Sequence, residues 1–181
     1  MIWYIWAIIA VVVLLIIGLY NSLIRLKNKV KNAWAQIDVQ LKKRFDLIPN
    51  LVDTVKGYAK HEKTVLTEIT KARNMMAKAG SVEDKAAAEN QLSGALKTLF
   101  AVSENYPDLK ASQNFIQLQE ELSGMESKIA YARQFYNDMV MRFNTKIQLF
   151  PNNVFAGMLH FKDEQFFKTT GEERENVKVK F

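Results

Sequence analysis

The sequence contains no cysteine. That excludes disulfides, thiolate zinc sites, iron-sulfur ligation, thiol catalysis and a lipid-modified N-terminal cysteine, and it leaves the redox compartment unreadable. Histidine occurs only at positions 61 and 160, and neither has the companion that a metal motif requires. After His61-Glu62 the H-E-x-x-H pattern needs a second histidine where Val65 stands, and the Glu-x-x-His pattern of di-iron bundles fails because Tyr58 and Gly157 precede the two histidines. No phosphate-cradling glycine motif is present, and Ser and Asp are scattered without a nucleophile setting. The adjacent Glu120 and Glu121 diverge on a helix, so they read as a solvated face and not as an acid/base pair. An enzyme is not expected, and neither is a cofactor or a metal.

Glycine and proline are also scarce, with seven and three copies among 181 residues. Ala, Leu, Glu, Lys and Gln dominate after residue 20, so propensity favours long helices over sheet and predicts an all-α fold.

Charge is missing altogether from Ile2 to Tyr20, IWYIWAIIAVVVLLIIGLY. At about 1.5 Å per residue this run is roughly 28 Å long, close to the ~30 Å hydrocarbon core of a bilayer. Trp3, Tyr4 and Trp6 crowd one end and Tyr20 marks the other, as expected for rings at the two headgroup layers. A cleaved signal peptide would need a basic start, a shorter apolar run and a small-residue cleavage site, so residues 1–20 are expected to be an uncleaved transmembrane anchor.

Arg25, Lys27, Lys29 and Lys31 follow at once, with no Lys or Arg before the run. The positive-inside rule then puts the N-terminus outside and the C-terminal domain in the cytoplasm, held by the cell's inner membrane. At 100° per residue the four charges surround the helix as a collar, suited to anionic headgroups at about 1 kcal/mol each; equally, they serve only to fix topology. The excess of basic over acidic residues between positions 21 and 60 equals the whole chain's +6. Concentrated beside a membrane, that charge points to lipid, and Lys42, Lys43 and Arg44 read as solvated or lipid-facing; nucleic acid is not an expected partner.

Val30, Trp34, Ile37, Leu41, Phe45, Ile48, Val52, Val55 and Ala59 recur every three or four residues, a helical stripe with a period nearer 3.67 than 3.5. The stripe continues through Leu66, Ile69 and Met76, which predicts one helix up to Ala79-Gly80, kinked at Pro49, which removes a donor from the carbonyl of Phe45. A second helix is expected from Ser81, its N-cap, to about Asn105 before Pro107. A third runs from about Ser112 to Pro151, and a short one spans about Val154 to Leu159. Residues 163–181 look too polar to bury much and read as a flexible tail.

By these lengths the first helix extends roughly 85 Å beyond the membrane, the second about 35 Å and the third about 55 Å. In a simple up-down-up arrangement the membrane-proximal stripe Val30, Trp34, Ile37, Leu41 and Phe45 then lacks a partner within the chain, and is expected to be a self-assembly surface. Arg133, Tyr136, Asn137 and Asn144 lie on or beside the third helix's apolar stripe, where buried polar groups must find partners; they read as a structural network that fixes helix register.

Four segments together, RFDLIPNLVDTVKGYAKHE at 44–62, ENYPDLKAS at 104–112, ARQFYNDMVMRFN at 132–144 and FPNNVFAGMLHF at 150–161, resemble the LemA family. The resemblance covers most of the chain from the anchor to about residue 162. It implies a single-pass bacterial membrane protein with a LemA-like antiparallel helical bundle over 21–162, without established catalytic residues or a cofactor. Members similar to this chain include proteins implicated in forming magnetosome membranes. Met139 and Met141 depart from the pattern only by apolar substitution.

The expected function is a non-enzymatic scaffold that forms homo-oligomers on the membrane; the alternative is an adaptor or accessory subunit of a membrane enzyme such as a protease.

Overall fold

In the computed structural model, residues 2–59 and 62–168 are described, and they fold into six helices. Helix α1 spans Ile2–Tyr58, α2 Lys63–Lys78, α3 Val82–Ser103, α4 Pro107–Lys110, α5 Gln113–Gln148 and α6 Asn152–Met158. No strand is present among the described residues, and the all-α class holds.

Helix α1 is 57 residues long and runs unbroken from the apolar segment through Pro49. The Phe45 carbonyl loses its donor there without ending the helix. From Trp3 to Gly18 the side chains are exposed, so nothing among the described residues covers this stretch. By length and composition it is a candidate membrane span.

The chain then reverses, contrary to the expected single helix up to residue 79. Between α1 and α2, Ala59 is buried and its carbonyl accepts the Glu62 N–H at 3.2 Å. Helix α2 folds back along the distal half of α1, bringing Val65, Leu66, Ile69 and Ala72 into one core with Ile48, Leu51, Val52 and Val55. Burying these side chains drives the hairpin, at roughly 1.5–3 kcal/mol for each large one as an upper figure. Nothing local announces the turn. Glu62 at the N-cap makes no side-chain capping bond, and the apolar phase passes across the break.

Helix α3 runs outward again from the Ser81 cap, whose hydroxyl accepts the Asp84 N–H at 3.0 Å. At the distal end the Tyr106 hydroxyl donates to Glu62 at 2.8 Å and Leu109 is buried, which closes that end. Pro107 starts α4 at a position where a missing N–H costs nothing.

Helix α5 then returns all the way. Its 36 residues span about 54 Å, nearly the length of α1 beyond Tyr20. Three contacts fix the antiparallel register: Arg44 to Glu126, Trp34 to Tyr136 and Ser22 to Lys146. Ten residues of α1 match ten of α5 between the first two contacts, and twelve match ten between the next two. The result is four helices at the distal end, narrowing to an α1–α5 pair beside the membrane.

This overturns the expected vacancy along α1. Val30, Ile37 and Leu41 are buried against α5 in a core with Ile129, Tyr136, Val140 and Phe143, while Trp34 and Phe45 are half-buried against the same core. Helix α5, longer than α3 by fourteen residues, reaches where α3 cannot. The stripe is therefore core and not a free interface.

Candidate functional site

The membrane-proximal part of the molecule brings together most of the polar residues singled out in the sequence. Seven residues separate Asn137 from Asn144 along α5, a rise of about 10.5 Å. Three residues separate Glu164 from Phe167, and in extended backbone they cover about 10 Å. The two spacings match. The Asn144 side chain donates to the Glu164 carbonyl at 3.0 Å and accepts its N–H at 2.9 Å. Asn137 does the same with Phe167, at 3.0 and 2.9 Å, and the Tyr136 hydroxyl donates to the Gln165 carbonyl at 2.8 Å.

Tyr136, Asn137 and Asn144 therefore clamp a chain segment. The clamped residues begin what the sequence suggested was a flexible tail. That expectation fails for 163–168, while 169–181 lie outside the described residues. The segment is polar on average, yet Phe167 is buried against Trp34, with ring centroids 6.1 Å apart, and Phe161 packs edge-on against Phe143 at 6.2 Å. Asn90 of α3 also donates to the Lys168 carbonyl at 3.2 Å. This strap, residues 161–168, runs along the α1–α5 pair and reaches α3 at its far end.

Of the expected headgroup collar, Arg25, Lys29 and Lys31 are exposed. Lys27 instead reaches Glu164 of the strap at 3.8 Å and lies 5.5 Å from the Phe161 ring centroid. Arg25 stands five residues past Tyr20, about 7.5 Å above it, at the outer edge of a headgroup layer some 5–7 Å deep. Lys29 and Lys31 stand higher, in the diffuse field of an anionic surface.

Arg44 is where the sequence reading failed most. Lys42 and Lys43 are exposed, as expected of a solvated run, but Arg44 is 2% exposed at the junction of α1, α3 and α5. Its guanidinium pairs with Glu89 and Glu126 and donates to the Ser93 hydroxyl at 3.0 Å, and Ser93 in turn donates to Glu126 at 3.0 Å. Burial pushes the Glu89 carboxyl above its usual value against the pull of Arg44; Glu126 adds to the rise, while Arg133 of α5 opposes it. A buried Arg facing two carboxylates on separate helices has no local sequence signature, because its partners lie 45 and 82 positions away.

Two of the open grooves bear on function. One lies between α1 and α5 on the edge away from the strap, with a volume of about 620 Å³, lined by Val39, Tyr131 and Phe135 among others. Asn137 and Phe135 are two residues apart and so point nearly opposite ways, which is why the strap leaves this edge bare. The other, about 1030 Å³, lies between α1 and α2, lined by the buried Val52, Ala59 and Leu66 and by Lys56, Lys63, Lys71 and Lys78. Among the described residues no group of three His, Cys, Asp or Glu gathers as a metal site.

Among the described residues, a long apolar helix continuing into an antiparallel bundle gives one candidate membrane span followed by an all-helical domain, the architecture of a single-span membrane protein class. The sequence model of the LemA family matches residues 33–181, and the chain belongs to the LemA family. It is 32% identical over 166 residues to Protein LemA of Metamycoplasma hominis, covering 89% of this chain and 74% of that protein. It is 23% identical over 175 residues to Magnetosome protein MamQ 2 of Paramagnetospirillum magneticum, and 21% over 174 residues to Magnetosome protein MamQ of Magnetospirillum gryphiswaldense. In each of these two the match covers 82% of this chain and 64% of the relative.

The four family-like segments map onto four structural duties. The first carries Arg44 and Pro49, the second closes the distal end, the third holds the strap, and the fourth forms the α5–α6 corner.

Proposed function

We propose that this protein is a non-enzymatic scaffold, anchored by α1 in the cell's inner membrane with its domain in the cytoplasm, whose helical domains assemble side by side to organise or shape that membrane. The observation that carries this reading is the uncovered edge of the α1–α5 pair. Tyr131 is 75% exposed, and Phe135 and Val39 stand open beside it, on a face of the α1–α5 pair lined by no residue of α2 or α3. Such a patch on a chain already confined to a membrane is suited to a second copy, because a common plane and orientation raise the effective concentration. The magnetosome relatives support a role at a membrane surface.

The orientation rests on the positive charges after the span. Added protease should spare the domain in intact spheroplasts and digest it in inverted vesicles; digestion in spheroplasts would reverse the topology.

The absence of cysteine makes the assembly test direct. A single cysteine replacing Tyr131 should give cross-linked copies in native membranes, whereas one replacing Ala111 at the distal end should not. The lysine-ringed groove between α1 and α2 favours a second reading, an adaptor that holds an acidic amphipathic helix of a membrane enzyme such as a protease. Copies that never cross-link, together with a stoichiometric co-purifying protein, would put that reading first.

A further inference from the structure

The corner between α5 and α6 exposes apolar side chains and lies beside α1 near Ser22. Lys146 of α5 bonds to Ser22 of α1. Leu149 follows three residues later and still donates its N–H to the Thr145 carbonyl at 3.1 Å, so it keeps the helical rise and sits about 4.5 Å nearer the membrane than Lys146. That puts it level with Leu19, inside the apolar run. Phe150 comes next and is 82% exposed. Helix α6 starts directly from this corner, with the Asn153 N–H on the Leu149 carbonyl at 2.9 Å.

Helix α6 is held from one side and bare on the other. Ala156 is buried in the α1–α5 core. Val154 and Met158, four residues apart and so on one face, are exposed, Met158 at 71%, and Leu159 is exposed beside them. The end of α6 is locked by two backbone bonds, Phe161 N–H to Ala156 and His160 N–H to Gly157, with His160 at φ 56°. After that turn the chain has climbed back to Phe143 and Lys27.

We infer that the α5–α6 corner and the outer face of α6, carrying Leu149, Phe150, Val154, Met158 and Leu159, insert into the headgroup–acyl boundary of the same bilayer that α1 crosses. The occupant is lipid, because this patch is continuous in height with the bare apolar surface of α1 around Ile17 and Tyr20. An interfacial helix buries its apolar face about 5–10 Å into that boundary, the depth at which Leu149 stands here. Exposed Arg25 and Lys162 flank the patch, where anionic headgroups would meet them. With two attachments, the span and the corner, the domain is fixed in tilt and rotation and does not swing on one helix.

The inference rests on α1 being a span but not on self-assembly. The test uses the full-length chain with single cysteines at Leu14, Ala111, Phe150 or Met158, each labelled with bimane. The protein is reconstituted in phosphatidylcholine–phosphatidylglycerol vesicles containing lipid with a shallow nitroxide. Labels at 150 and 158 should shift to the blue and be quenched at least half as strongly as the label at 14, with the label at 111 unaffected. Labels at 150 and 158 that behave like 111 while 14 is quenched would overturn the inference alone. A blue shift at 150 and 158 without quenching would overturn it too, since protein and not lipid would then cover the corner. No quenching at 14 would remove the span and the inference together.

Discussion

Arg44 carries its charge into the seam between α1, α3 and α5, where Glu89 is equally buried and Glu126 reaches the surface. Taking such charges out of water costs several kcal/mol per ion, which their mutual attraction must offset. Because the Glu89 pKa is raised in the folded state, protonated Glu89 favours folding, and that contribution fades as pH rises through the folded value. Arg44 opposes that rise, so removing it pushes the Glu89 carboxyl further up. Arg44→Leu should cost about 3–5 kcal/mol in urea unfolding, whereas Arg44→Leu with Glu89→Leu should recover most of that loss. Additive losses in the double variant would show that the pair is not coupled. Tyr136 gives a second residue-scale test. Burial first, and then the Glu164 carboxylate, push its phenol up to about 12. A raised folded pKa stabilises below the unfolded value of about 10 and is lost as pH climbs from there towards 12. Wild type should thus lose stability over that range, and Tyr136→Phe should flatten that part of the profile in thermal melts recorded against pH.

Among the elements, the strap has no helical ladder of its own and is held to α5 by side chains. Two asparagines supply four of its bonds to α5, each worth about 0.5–1.5 kcal/mol net. Asn137→Ala with Asn144→Ala should release it. Limited proteolysis should then cut within 161–168 before the helices, and Trp34 fluorescence should shift as Phe167 withdraws; unchanged protection would mean that the aromatic contacts hold the strap alone. Local chemistry made several elements readable. The Ser81 cap, Pro107 and the approach to Pro151 marked helix ends because their signals act within a turn or two of backbone. The reversal after Tyr58 was not readable, since Glu62 caps nothing and the apolar phase survives the turn. The strap was hidden for a different reason, because average polarity does not register two phenylalanines and a seven-residue asparagine spacing that becomes meaningful only against α5.

For the whole molecule, one wrong element moved the site. Once α1 ends at Tyr58 and α5 returns to Ser22, the stripe from Val30 to Phe45 becomes core, and the bare surface moves to the Val39–Tyr131–Phe135 edge. The residue types for an interface were legible, but their assignment required knowing which helix lies beside α1. The scaffold reading now depends on that edge. The most direct test is the mass of the full-length protein in mild detergent, measured by light scattering, for wild type and for Tyr131→Glu with Phe135→Glu. Both positions are open to solvent, so helix content should be unchanged. Wild type should have the mass of two or more copies and the variant should fall to one. A wild-type monomer, or a variant that keeps the wild-type mass, would contradict assembly through this edge.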